Sequence, residues 1–345
     1  MTPISLPAPR TAHPCDAPTM RWGIAATGGI AASMTDALHR HTRQHVVAVS
    51  SRSQQRADEF AARWQIPRAY EGLDAMLADD NIDVVYVASP HSRHHADALA
   101  ALRAGKHVLV EKSFTQDAAQ AREVLETATD VGRIALEAMW TRFLPGTDVI
   151  RQLLDAGALG TVDTVLADHG QWFPSDPSHR LFAPELAGGA LLDLGVYPLS
   201  FADFALPGAQ RELVAAGDLT QTRVDRQVSL TITAGSARAQ LSTTLAARTP
   251  TTASISGDLA RLELAADFYQ PTDVTLITRD GERATDGGGS IRGHEALAYE
   301  AAHLAQLVSD GADHSPLLTP ADTLRVMTML DQARAQVGVV YPSDA

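Results

Sequence analysis

The side chains best suited to acid–base chemistry in this 345-residue chain stand in two places. The first is Val108-Leu-Val-Glu111-Lys112, which reads as a strand ending in an acid beside a base. An unbroken run of β-branched and apolar residues suits a strand covered on both faces. In an open α/β sheet, ligands bind beyond the carboxyl ends of the strands, so Lys112 is expected where chemistry happens. The plainer reading is a surface lysine that follows a strand. The second place is Gly188-Gly189-Ala-Leu-Leu-Asp193-Leu-Gly195-Val-Tyr197-Pro198. Two glycines permit a tight turn into a helix, and a helix puts Asp193 and Tyr197 on one face. An unperturbed tyrosine, with a pKa of about 10, is a poor base at neutral pH, and a nearby ammonium lowers that value.

The elements that must position these groups begin at Arg21-Trp-Gly-Ile-Ala-Ala26-Thr27-Gly28-Gly29-Ile30-Ala31, a short strand, a glycine turn and a helix start. Set against G-x-G-x-x-G/A, the segment gives Ala26-x-Gly28-x-x-Ala31, with Ala26 in place of the first glycine. Gly28 is where backbone would approach a pyrophosphate at a helix N-terminus. A helix to about His41 leads to a second strand, Val46–Val49, which is the βαβ spacing that the fingerprint needs. Beyond that strand an NAD-binding chain should carry an acid for the ribose 2′-hydroxyl. This chain has Ser50-Ser51-Arg52-Ser53-Gln-Gln-Arg56 instead. Arg52 and Arg56 suit a 2′-phosphate, so NADP is expected ahead of NAD.

The alternation continues with a strand at Asp83–Ser89, then Pro90-His91-Ser-Arg-His94-His95, and a helix over Ala96–Ala104 closed by Gly105. The histidines lack a carboxylate or cysteine at ligand spacing, so no metal is expected there. Ser89, Pro90, His91 and His94 are read as a loop lining the nicotinamide ribose, with Glu111 and Lys112 completing the cofactor-binding set.

Gly23-Ile-Ala-Ala-Thr-Gly28-Gly-Ile-Ala31, Ala88-Ser-Pro90-His91-x-x-His94 and Ala104-Gly-Lys-His-Val-Leu-Val-Glu111-Lys112 resemble the Gfo/Idh/MocA oxidoreductase family. The resemblance runs from about residue 20 to the C-terminus. It implies a Rossmann domain at 20–141 and, at 142–345, a substrate-binding and dimerisation domain with an open, mainly antiparallel sheet. Residues 1–19 are expected to be a disordered tail. Lys112 matches the catalytic lysine of the family's Glu-Lys-Pro motif, with Ser113 in place of the proline. Glu137-Ala-Met-Trp140-Thr-Arg142-Phe-Leu-Pro145 is similar to the branch that contains the dimeric dihydrodiol and NADP-dependent D-xylose dehydrogenases. In that branch a tyrosine stands at position 197. The resemblance implies Tyr197 as acid/base, Lys112 as its electrostatic partner and Asp193 as orienter. Trp140, Arg142 and Arg180 join Asp193 and Tyr197 as substrate-binding candidates, with core packing the other reading of Trp140.

From residue 211 the pattern becomes strand-like, with hairpin signals at Ala234-Gly235-Ser236 and Gly257-Asp258. A flexible loop is expected at Asp286–Ser290 and helices at His294–Ser309 and Ala321–Gln336, the second with Thr319-Pro320 as N-cap and N1. An antiparallel sheet with one face free must cover that face, and the resemblance implies a homodimer formed through it.

A net charge of −13 argues against nucleic acid and anionic membrane as partners. The single cysteine, Cys15, excludes an internal disulfide and a thiolate cluster. No apolar run is long enough to span a bilayer, and the N-terminus lacks the pattern of a signal peptide, so the cytoplasm is expected. The leading reading is an NADP-dependent dehydrogenase of a small carbohydrate-like substrate: a sugar, a cyclic polyol or a trans-dihydrodiol. Two others stand beside it. One is a glycoside hydrolase that works through transient oxidation by tightly held NAD, and the other is a non-catalytic dinucleotide sensor.

Overall fold

The structure, a computed structural model, describes residues 4–208 and 211–344. They form two compact units. The first unit comprises Ala12–Phe143 and Arg292–Leu324, and the second comprises residues 4–11, Leu144–Ile291 and residues 325–344.

In the first unit, strands and helices alternate as β1 (Arg21–Ala25), α1 (Gly29–His41), β2 (His45–Ser51), α2 (Gln54–Trp64), β3 (Arg68–Glu71), α3 (Leu73–Leu77), β4 (Val84–Val87), α4 (His91–Arg103), β5 (His107–Glu111), α5 (Ala118–Asp130) and β6 (Ala135–Ala138). The strands make one parallel sheet in the order β3-β2-β1-β4-β5-β6. This is the doubly wound order, whose direction reverses between β1 and β4. Ile24, Val84, Val85, Val87 and Val108–Val110 are buried, as strands covered on both faces require. Gly105, at φ 75°, follows α4 as the expected C′ glycine. The histidine segment differs from expectation. Pro90 is the N-cap of α4, so His91 and His94 lie in its first turn rather than in a loop.

The second unit opens with α6 (Pro145–Asp155) and β7 (Val162–Gly170). A π-turn at Leu191–Gly195 runs directly into α7 (Val196–Ala205). Pro198 explains the change of register. It has no N–H for the carbonyl of Leu194, and its ring crowds that carbonyl. Strands β8 (Arg211–Leu219), β9 (Asp225–Ala234), β10 (Ala237–Thr244), β11 (Ala253–Gly257), β12 (Ala260–Leu264), β13 (Val274–Thr278) and β14 (Arg283–Asp286) complete an eight-stranded sheet, ordered β14-β13-β12-β11-β7-β10-β9-β8. Only β7 and β10 pair in parallel. α7, buried along nearly its whole length, packs on β7 and β10. The alternation of Val228, Leu230 and Ile232 with Ser229 and Thr231 turns one face inward and leaves the other open.

Two expected boundaries are corrected. Helix α8 (Ala298–Asp310) belongs to the first unit, because its small buried face (Ala302, Ala305) packs with Ala17 and Met20. α9 (Pro320–Val337) continues the chain into the second unit. Residues 4–19 are also fixed rather than disordered. Arg10 clasps the Asp148 carboxylate at 2.7 Å, Gln152 donates to the carbonyl of Ala8 at 2.9 Å, and Gln44 donates to that of Pro18 at 2.7 Å. Met1–Pro3 lie outside the described residues. No helix among the described residues is long and apolar enough to cross a membrane.

Ala26, in the place of the fingerprint's first glycine, has a φ of 93°. Glycine reaches that region without the Cβ cost of about 1–2 kcal/mol, and loses roughly 0.5–1 kcal/mol more chain entropy on folding. Ala26→Gly is therefore expected to raise stability by about 0.5–1 kcal/mol. A thermal melt that showed a lowered Tm would contradict this.

Candidate active site

At the carboxyl edge of the first unit's sheet, the turn after β1 is bare. A Cβ added at Gly28 or Gly29 would meet nothing within 4 Å. Gly28 is the N-cap of α1 and no side chain caps that end, so the first-turn amides face outward. Thr27 and Ile30 flank the two glycines in the same turn. Ser89, just past β4, has a buried Oγ with no partner among the described residues. Beyond β2, Ser51 ends the strand, and Arg52 and Arg56 stand exposed with no ion pair to any described residue. An outward-facing helix terminus, an orphan hydroxyl and two unmatched guanidiniums suit a dinucleotide with a 2′-phosphate.

His94 is buried with its ring nitrogens beside two carbonyls, Nδ1 2.9 Å from that of Ser113 and Nε2 2.8 Å from that of Ser89, and the neutral ring donates to one of them. Burial holds its pKa below the usual histidine value. His94 therefore braces the ends of β4 and β5, with His91 packed edge-on against it. Among the described residues no three His, Cys, Asp or Glu side chains are grouped to hold a metal ion.

Lys112 follows β5, and its peptide bond to Ser113 is cis. Glu111 points inward, accepting from the Tyr86 hydroxyl and from the Lys112 amide. Behind it lie two more acids. Glu137 accepts from Thr323 at 2.9 Å and from the Phe114 amide at 3.2 Å, and burial raises its pKa to about 7. Glu300, from α8, is 0% exposed, and neither carboxyl oxygen has a partner among the described residues. Its pKa is raised well above the usual range by burial and by the charges of Glu111 and Glu137. Trp140 is buried and stacks on His294, with ring centroids 5.7 Å apart. Arg142 is also buried, 3.8 Å from Asp322.

In the second unit, the π-turn carries Asp193, and Tyr197 is the second residue of α7. The turn is wider than the expected α-helix, and π-turns often mark functional sites. Arg180 reaches Asp193 at 3.0 Å from the preceding loop. Around Tyr197 stand two rings that motif reasoning missed, His169 at 5.4 Å and Tyr269 at 4.8 Å, themselves stacked at 4.5 Å. His169 ends the inward alternation of β7, a signal that was readable. Tyr269 follows β12 in an irregular segment with no such signal.

An open Rossmann glycine turn in one unit, and in the other a tyrosine and an aspartate at the head of the helix that covers its sheet, fit a dinucleotide-binding oxidoreductase. The chain belongs to the GFO/IDH/MocA oxidoreductase family. The family's NAD-binding Rossmann fold matches residues 20–138, and its C-terminal domain matches residues 148–263. It is 34% identical to trans-1,2-dihydrobenzene-1,2-diol dehydrogenase of Xenopus tropicalis, covering 93% of this chain and 99% of that protein. It is 34% identical to D-xylose 1-dehydrogenase (NADP(+)) of Hypocrea jecorina over 94% of this chain and 93% of the other. A 3-ketoreductase from Actinomadura kijaniata, solved with NADP and TDP-benzene, superposes with a TM-score of 0.81 at 29% identity over 93% of this chain and 98% of its own.

The carboxyl of Glu300 titrates higher in the folded protein than in the unfolded chain. Its contribution to stability is thus complete in acid and is lost as pH rises above the unfolded value of about 4.3. Glu300→Gln removes that loss. The Tm difference, variant minus parent, is expected to grow by roughly 2–4 °C between pH 5 and pH 8. A difference that stayed flat in calorimetry would show that Glu300 is not a buried acid of this kind.

Proposed function

We propose that this chain is an NADP-preferring dehydrogenase that moves hydride between nicotinamide and a sugar or sugar-like cyclic alcohol, taking an aldose to a lactone or a trans-dihydrodiol to a catechol. The observation that carries the reading is Tyr197 beside Asp193, walled by His169 and Tyr269, in a chain whose relatives over more than nine-tenths of its length are dehydrogenases. Arg52 and Arg56, where an NAD enzyme would place an acid, support NADP.

Bound NADP supplies the hydride acceptor. Tyr197 takes the proton of the substrate hydroxyl as its carbon gives up hydride. Lys112 donates a hydrogen bond to that oxygen, and its positive charge favours the phenolate over the phenol. Asp193, fixed by Arg180, accepts from a neighbouring hydroxyl and sets the sugar's orientation. Ser89 and the amides after Gly28 hold the cofactor. Trp140 and Arg142, both buried, are the remaining substrate-binding candidates. The single cysteine, Cys15, donating to the carbonyl of His41 at 3.1 Å, is in keeping with a cytoplasmic chain.

We infer also that a second copy covers the open face of the eight-stranded sheet. That face carries a groove of about 860 Å³ lined by Leu166, Ser229, Thr231, Gln240, Ser242 and Thr275. Leu166 is 45% exposed there.

Two experiments test these readings. Absorbance at 340 nm is followed with NADP⁺ and NAD⁺ across aldoses, inositols and trans-dihydrodiols. Turnover with NADP⁺ is expected, with kcat falling at least about 100-fold in Tyr197→Phe and KM for NADP⁺ rising on the order of tenfold or more in the Arg52→Ala, Arg56→Ala double variant. Retention of most of kcat by Tyr197→Phe sinks the assignment of the base, and cofactor binding without any turnover points to a sensor. For the dimer, light scattering should give twice the chain mass for the parent and once the chain mass for Leu166→Arg. A monomeric parent contradicts the interface.

A further inference from the structure

We propose that Asp225 is a positioning residue of the active site, its buried carboxylate fixing the π-turn that presents Asp193 and Tyr197. The proposal rests on the roles given to those two residues above. Asp225 opens β9 and is 0% exposed. Its Oδ2 accepts the amide of Leu191, the first residue of the π-turn, at 2.5 Å. The approach is possible because residue 189 is glycine. Gly189 has a φ of 118°, and a Cβ there would run into the Asp225 carboxylate.

A second contact holds the residues just before the turn. The Tyr341 hydroxyl donates to the carbonyl of Gly188 at 2.6 Å, and the Arg334 guanidinium lies 4.8 Å over the Tyr341 ring. A Cβ on Gly188 would collide with the carbonyls of Arg180 and Leu181, the residues from which Arg180 reaches Asp193. Thr243, on β10, donates to the carbonyl of Ala190 at 3.4 Å. Three elements thus hold a turn whose own backbone register is broken by Pro198. Of these holds, only that of Asp225 depends on a charge that can be lost.

The groups that face Asp225 are the Arg334 guanidinium, the Tyr341 hydroxyl and the amides of Ala190 and Leu191. Burial raises its carboxyl to about 6 against the attraction of the amides and Arg334. Above that pH the carboxylate is a charged acceptor for the amide, and below it the bond weakens.

The test compares the parent with Asp225→Asn, which keeps the shape and loses the charge, and with Tyr341→Phe, which removes only the hydroxyl. Amide exchange over residues 188–198, corrected for intrinsic rates, needs no substrate. Protection in the parent should fall on the order of tenfold between pH 7 and pH 5, while Asp225→Asn should be poorly protected throughout. On whichever aldose, inositol or trans-dihydrodiol the absorbance assay shows to turn over, Asp225→Asn should lower kcat on the order of tenfold, leave KM for NADP⁺ within about twofold, and lose the acid limb, the fall in kcat expected of the parent below about pH 6. Tyr341→Phe should lower protection without moving that limb. Unchanged protection and an unchanged pH profile in Asp225→Asn overturn the proposal. Retained activity in Tyr197→Phe overturns instead the catalytic reading on which it rests, and the exchange result then stands alone.

Discussion

Charged side chains are kept off the middle of the central strands of the first unit's sheet. β4 and β5 are buried on both faces, so a charged side chain along them would lose its water without a partner. Lys112 marks the point at which β5 emerges from that cover, and Ser89 marks the same point for β4. His94 then joins the two ends, with one ring nitrogen beside a carbonyl from each side. The glycine turn, the orphan hydroxyl and the two arginines are consequences of the same constraint, since only the carboxyl edge leaves backbone and polar atoms open.

The second unit solves a different problem. Helix α7 covers one face of its mainly antiparallel sheet. Apart from Ser200 and Asp203, whose carboxylate pairs with Arg211 and Arg325, α7 is apolar, and Tyr197 stands at its N-terminal end just past the π-turn. Pro198 breaks the register at that end, and Asp225, Tyr341 and Thr243 hold what the helix itself cannot. The sheet, through Asp225 and Thr243, and the C-terminal segment, through Tyr341, both hold the turn.

The sequence made legible whatever depends on neighbours in the chain. The alternation of β9, the Gly28 turn, the C′ glycine at 105 and the Glu111-Lys112 strand end are local patterns, and each lies where its pattern put it. Features that depend on distant partners were not legible. Residues 4–19 read as a tail because nothing nearby says that Arg10 meets Asp148. Helix α8 reads as part of the second domain by position in the chain, while its alanine face fits Ala17. Tyr269 and Asp225 carry no local mark at all, for one earns its place by stacking on His169 and the other by meeting an amide across a glycine. The π-turn sits between the two cases. Its proline was visible, but its consequence depended on whether α7 was buried.

The two units bury carboxyls for opposite ends. Glu300 has no donor at either oxygen, so the folded first unit favours its neutral form and gains nothing from ionising it. Asp225 has an amide aimed at it and is useful only when charged. Both are held above their usual values by burial, so by linkage both stabilise the fold most in acid and lose that contribution as pH rises. For Asp225 the charged form that the turn needs is therefore the form that the fold favours less. Rising pH through about 6 strengthens the proposed bond to the Leu191 amide while the same ionisation lowers the stability of the fold as a whole. An enzyme with Asn in place of Asp225 would escape that conflict only by giving up the charged bond that sets Tyr197.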